Sequence, residues 1–104
     1  MFKAIILLKR RDDQSPQDFA AWWLGDHAPL ARALPGLRAA TFNLVQGNAQ
    51  ESCDGVSELW FDSREAFDAA YASDHGRAVA ADSLAHVARR ERLFVSEQVI
   101  LPLS

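Results

Sequence analysis

The sequence predicts an α+β sandwich: one four-stranded antiparallel sheet carrying its helices on a single face, in one domain over residues 1–104. Three observations carry that expectation. Four short runs rich in aliphatic and β-branched residues alternate with two stretches of helical spacing, in the order β-α-β-β-α-β. Helix starts are written at Ser15-Pro16 and at Ser63. A chain of 104 residues, 49% of them apolar, has material for one core and no more. Two βαβ halves of this length suggest a ferredoxin-like arrangement.

Phe2 to Lys9 is aliphatic, lacks a helix start and reads as the first strand; "RRDDQ" then turns the chain. In "SPQD", 15–18, Ser15 is a natural N-cap, Pro16 fits the first helical position and Asp18 favours the positive helix end. The apolar stripe that follows, Phe19, Trp23, His27, Leu30 and Leu34, advances in steps of four, four, three and four. Pro35-Gly36 stops it. Leu37 to Gln46 reads as the second strand, 47–54 as part of a polar loop, and "VSELWFD", 56–62, as the third strand. Ser63 caps a second helix packed through Ala66, Phe67, Ala70 and Tyr71. "SDHG", 73–76, breaks that pattern, and Ser73 or Asp74 starts further helical turns through Ala78, Val79 and Leu84. The fourth strand is expected at "LFVSEQVIL", 93–101, with His86 opening the run into it.

Several classes are disfavoured. No apolar run is long enough for a secretory signal or for the roughly 20 residues of a membrane span, so the expected location is the cytoplasm. A net charge of −3 argues against nucleic acid. "KRR", 9–11, and "RRER", 89–92, are broken by or followed at once by acids and read as solvated charge clusters rather than anion sites. Cys53 has no partner for an intrachain disulfide and reads as a bystander. The three histidines show no metal-ligand spacing, and there is no phosphate loop or nucleophile elbow, so neither metal nor cofactor is assigned.

The strands do not alternate apolar with polar. Phe2, Ala4, Ile6 and Leu8 share one face of the first, yet Ile5 and Leu7 occupy the other. Val56 and Trp60 oppose Leu59 and Phe61 on the third. Helices cover one side only, and each large apolar side chain gains roughly 1.5–3 kcal/mol on full burial. A second copy packed sheet to sheet would cover the rest, so a homodimer is expected.

His27 is the candidate catalytic group. Pro29 removes the helical partner of the Gly25 carbonyl, Ala28 precedes proline, and Gly25 weakens the helix by roughly 1 kcal/mol. The irregularity predicts either a kink or a fresh segment capped by Asp26; both leave His27 facing the sheet. A neutral imidazole there can take or give a proton near neutral pH, although a histidine bonded into the core is the plain alternative. Trp23, Trp60, Phe61 and Tyr71 are candidate substrate-binding residues. Trp23 and Trp60 above all would wall a flat pocket between sheet and helices for a small hydrophobic or aromatic ligand. Glu58, on the face of Val56 and Trp60, is expected in a structural ion pair. His75 is expected exposed in a turn.

Three stretches together resemble the EthD-like family of the dimeric α+β barrel superfamily: "IILLKRRDDQSPQDFAAWWLGDHAPLARALPGLR" at 5–38, "DGVSELWFDSREAFDAA" at 54–70 and "EQVIL" at 97–101. The resemblance implies a ferredoxin-like subunit, a dimeric barrel without cofactor and a link to ether or aromatic degradation. It makes His27 the family's helix histidine, and Trp60 and Phe61 its strand pair. Related lactone isomerases carry a tyrosine after the Pro-Gly turn and a cysteine in strand three. "GLRAATF" and "SELWF" contain neither. The functional expectation is a cofactor-independent lyase or isomerase using His27 as general acid or base; the alternative is a non-catalytic protein that binds a hydrophobic metabolite.

Overall fold

A computed structural model describes residues 1–47 and 52–104. Strand β1 (Phe2–Arg10) leads into helix α1 (Pro16–Ala21), a π-helical segment (Trp22–His27) and helix α2 (Ala28–Arg32). Strands β2 (Ala39–Leu44) and β3 (Gly55–Phe61) follow, then helices α3 (Arg64–Ala72) and α4 (Asp74–His86), and strand β4 (Val87–Val95). The strands lie in the order β2-β3-β1-β4 and every neighbouring pair is antiparallel. This is the ferredoxin-like α+β sandwich expected. No helix among the described residues is long and apolar enough to cross a membrane.

Serine sets the helix starts. Ser15 Oγ accepts the Asp18 amide at 3.0 Å, Ser63 Oγ that of Ala66 at 3.1 Å and Ser73 Oγ that of Gly76 at 3.0 Å. Each satisfies an amide that the first helical turn leaves without a partner. Gly76 also lets α4 fold back on α3, because a Cβ there would collide with the Ala70 carbonyl. The expected helical turns after Ser73 are thus a full helix of 13 residues. His75 lies in its first turn, half-buried, and its Nε2 donates to the Leu30 carbonyl at 2.7 Å. It ties α4 to α2 and is not the exposed turn residue expected.

The first helix keeps its predicted stripe: Phe19, Trp23, His27 and Leu34 are buried. The irregularity around Gly25 and Pro29 takes a third form, neither kink nor fresh cap. The backbone passes through a π-helical turn, in which the Ala28 amide reaches back five residues to the Trp23 carbonyl. Asp26 stays exposed and caps nothing.

Strand four is the other correction. It begins six residues earlier than expected, at Val87, and ends at Val95; "SEQVIL" beyond it is an exposed tail. Apolar density misled here, because "RRER" looks like a loop. As a strand pairing with β1 it places Arg90 opposite Leu8 and Arg92 opposite Ile6, on the helix-bearing face. There the Arg92 guanidinium lies 5.4 Å from the Phe67 ring. His86 is the last residue of α4, not the start of the strand. Residues 48–51 of the expected polar loop lie outside the described residues, and with them its role. Asp54, at its end, accepts the Arg10 amide at 2.9 Å.

The core fills the space between helices and sheet, with Ala4, Ile6, Leu8, Leu59 and Phe61 from the strands against Phe19, Trp23, Phe67 and Val79. The opposite sheet face carries Ile5, Leu7, Val56, Trp60 and Leu93, with no helix over it. On that face Lys3 Nζ sits 2.9 Å from both Glu58 and Glu97 and 4.7 Å from the Trp60 ring. Glu58 is therefore in the ion pair expected of it. Its hydrogen bonds with the Lys3 ammonium and with Asn43 hold its carboxyl below the usual range.

Candidate functional site

The π-helical turn aims the site. In an α-helix, residues five apart point about 140° away from one another. Bonding five residues back brings Trp22 and His27 onto one side, their rings 5.1 Å apart. Both reach the same oxygen of Asp82 on α4. Trp22 Nε1 donates to Asp82 Oδ2 at 3.2 Å, and His27 Nδ1 meets it at 2.8 Å. A carboxylate only accepts, so Nδ1 carries the proton and Nε2 keeps its lone pair. His86, one turn on, stacks on Trp22 at 4.7 Å and anchors to the Asp82 carbonyl oxygen at 2.7 Å.

Nε2 faces Ser83 Oγ at 3.3 Å, a long contact that a ligand can replace. It borders an internal cavity of about 10 Å³, water-sized, whose walls include Ser57, Tyr71, Ser83, Arg90, Trp23 and Phe42. The imidazole is only 5% exposed. Burial pushes its pKa below the ordinary value, and the Asp82 hydrogen bond pulls the other way without winning. Burial likewise pushes the Tyr71 hydroxyl up and the Arg90 guanidinium down.

A larger groove of about 510 Å³ lies outside this cavity, between α2 and β2, lined by Leu24, Ala28, Leu37 and Ala40. Ala31 and Phe42 line both spaces. Phe42, half-buried on edge strand β2, stacks on Trp23 at 4.5 Å with the rings 15° from parallel. It stands between the groove and the histidine.

Of the predicted residues, the structure brings His27, Trp23 and Tyr71 to one cavity. It does not bring Trp60 there. Side chains alternate along a strand, and Leu59 and Phe61 take the helix face, so Trp60 stands on the opposite side of the sheet from Trp23. The expected pocket walled by both tryptophans is absent for that reason. Phe61 is on the correct side but sealed in the core, edge-on to Phe67 at 5.4 Å. Sequence reasoning missed Asp82, Ser83, Arg90 and Phe42. Asp82 left a trace in its spacing of four from His86, and Arg90 lay in "RRER", read as a solvated cluster although the structure half-buries it against the cavity. Among the described residues no three His, Cys, Asp or Glu side chains are grouped to hold a metal ion.

Comparison with known proteins agrees with this architecture. An ethyl tert-butyl ether degradation (EthD) family protein from Bacillus halodurans is 24% identical, covering 94% of this chain and 100% of its own, with a TM-score of 0.80. A dimeric ferredoxin-like protein of unknown function from Thermobifida fusca is 22% identical over 92% of this chain and 90% of its own, at 0.75. A variant of SnoaB, a cofactor-independent oxygenase from Streptomyces nogalater, is 18% identical over 98% and 97%, at 0.71. No curated protein matches by sequence. With residues 11–90 matching the EthD domain, the chain belongs to the EthD domain family.

Proposed function

We propose that the protein is a cofactor-independent enzyme of lyase or isomerase type, acting on a small hydrophobic or aromatic catabolic intermediate, with His27 as general acid and base. One observation carries this reading: Asp82 holds Nδ1 while Nε2 is left facing a cavity. Once the Ser83 hydroxyl gives way from Nε2, an oriented neutral imidazole is a base at neutral pH, and the proton it takes is stabilised by the carboxylate behind it. Substrate would enter along the groove, displace Ser83 from Nε2 and turn Phe42 aside. Trp23 and Tyr71 would then hold its ring. Trp60 and Phe61 keep no part in this reading.

The apolar open sheet face supports a homodimer joined through that face, and the Thermobifida fusca neighbour is itself described as dimeric. The test is a screen of aromatic acids, phenols and lactones for conversion without added cofactor. His27→Ala is expected to lower turnover of the substrate found by about 10²–10⁴-fold. Turnover within a few-fold of wild type would end the catalytic assignment. The rival reading, a non-catalytic metabolite-binding protein, rests on how small the cavity beside His27 is. It predicts saturable ligand binding with no product, surviving His27→Ala.

A further inference from the structure

Arg90 has no use in the chemistry assigned to His27. It lies on the helix-bearing face of β4, opposite Leu8, and borders the same cavity. Its Nε is buried with no hydrogen-bond partner, and no carboxylate forms an ion pair with it among the described residues. The Tyr71 hydroxyl, a neutral group, borders the same cavity beside it. Buried charges in folded proteins are paired, because removing one from water costs several kcal/mol that only a counter-charge offsets. Elsewhere this chain follows that rule: Lys3 has two carboxylates on the open sheet face. Arg90, half-buried with its Nε sealed from water, has none, and it stands where a ligand would end.

The route inward has the same sign. Among the described residues the groove beyond Phe42 is lined by Arg32 and Arg38 and by no acidic side chain; Arg38 is paired with Asp62 at 3.3 Å, which leaves Arg32 as the charge facing the route. Such a path raises the local concentration of anions.

We infer that the cavity is the receiving end of a site for a planar organic anion, whose oxyanion, a carboxylate or a phenolate, is bound by Arg90 and the Tyr71 hydroxyl. This rests on the reading of the cavity as the substrate site and narrows it to acidic aromatic compounds. The ring follows through the position Phe42 now holds, and the oxyanion supplies the counter-charge Arg90 lacks. Nε2 of His27 then borders the bound molecule.

The probe is benzoate, with benzamide as its uncharged match in shape, each titrated calorimetrically against the wild-type protein. Benzoate is expected to bind at least tenfold more tightly than benzamide. Arg90→Met is expected to remove that preference and to melt no lower than wild type, since it removes a half-buried charge that has no carboxylate partner. Arg90→Lys keeps the charge and is expected to retain part of the preference; it also serves if the methionine variant does not fold. Equal binding of benzoate and benzamide overturns the inference, as does a preference that survives Arg90→Met. A lower melting temperature in Arg90→Met with the preference intact gives Arg90 a structural role only and overturns it too. The two readings fail separately: turnover reports on His27, and the benzoate preference reports on Arg90.

Discussion

His27 sits where a proton is costly. The unfolded chain takes one up near pH 6.5, the ordinary value for histidine, whereas the folded chain does so only at lower pH because the ring is buried. Between those two values the unfolded state holds more protons, so stability rises with pH through the window and is lost as pH falls. Asp82, His86 and Arg90 face the ring and set how wide the window is. Urea midpoints measured between pH 7.5 and about 5 are expected to fall in the wild type and to fall less in His27→Asn; parallel curves would remove the burial argument. The carboxyls of Glu58 and Glu97, held low by hydrogen bonds with Lys3, make their own contribution in a more acid range. Asp82 has a distinct signature. Replacing it with Asn is expected to cost about 1.5–3 kcal/mol, since two buried donors lose a charged acceptor. It should also release the imidazole to populate the tautomer protonated at Nε2, visible in the ring nitrogen shifts. His27 was legible because its stripe repeats every three or four residues. Asp82 was not: it lies 55 residues away, and no local pattern reports which helix will cross which.

The π-helical turn shows where element-scale reading stops. Gly25, Ala28 and Pro29 announce that a regular helix fails there, but not how it fails. The outcome depends on Trp22 and His27 both finding Asp82, a tertiary gain that offsets a poorer backbone. Strand β4 failed for the opposite reason. Its arginines are polar by composition, yet they shelter their stems on the helix face, where Arg92 stacks over Phe67 and Phe94. Two glycines test the packing of the first helix. Gly25 has open space where a Cβ would stand and is not among the positive-φ residues, so Gly25→Ala should stabilise by about 0.4–1 kcal/mol and raise the melting temperature by a few degrees. Gly55, the first residue of β3, is different. A Cβ there would lie 2.7 Å from the Trp23 ring and 3.1 Å from that of Phe19. Gly55→Ala should therefore destabilise by about 1–3 kcal/mol, since neither ring can retreat from a filled core. Thermal melts of the two variants, moving in opposite directions, are the expected result; a loss at Gly25 would mean that the π-helical turn itself depends on glycine.

At the scale of the whole molecule, the sheet is the unfinished part. Its helix side is closed by aromatics, while its other side leaves Leu93 48% exposed beside half-buried Ile5, Leu7, Val56 and Trp60. The tail continues this imbalance, with Ile100 and Leu101 almost fully exposed and Glu97 reaching back to Lys3. Contiguous apolar surface of this kind is what an interface uses, and in the proposed homodimer a two-fold partner would cover it with the same residues from the other copy. Leu7 lies inside that surface, opposite Val56 on one side and Glu91 on the other. Leu7→Glu would bring a carboxylate into the shared layer from both protomers and add it next to an acid already present. Sedimentation of the wild type at micromolar concentration is expected to give a dimer, and Leu7→Glu a monomer that keeps its helical content. A wild-type particle whose radius of gyration stays near the 13.9 Å of the single chain would show that the open face is stable in water alone, and the homodimer would be withdrawn. The histidine site would survive that result, because every group that orients His27 comes from the same chain.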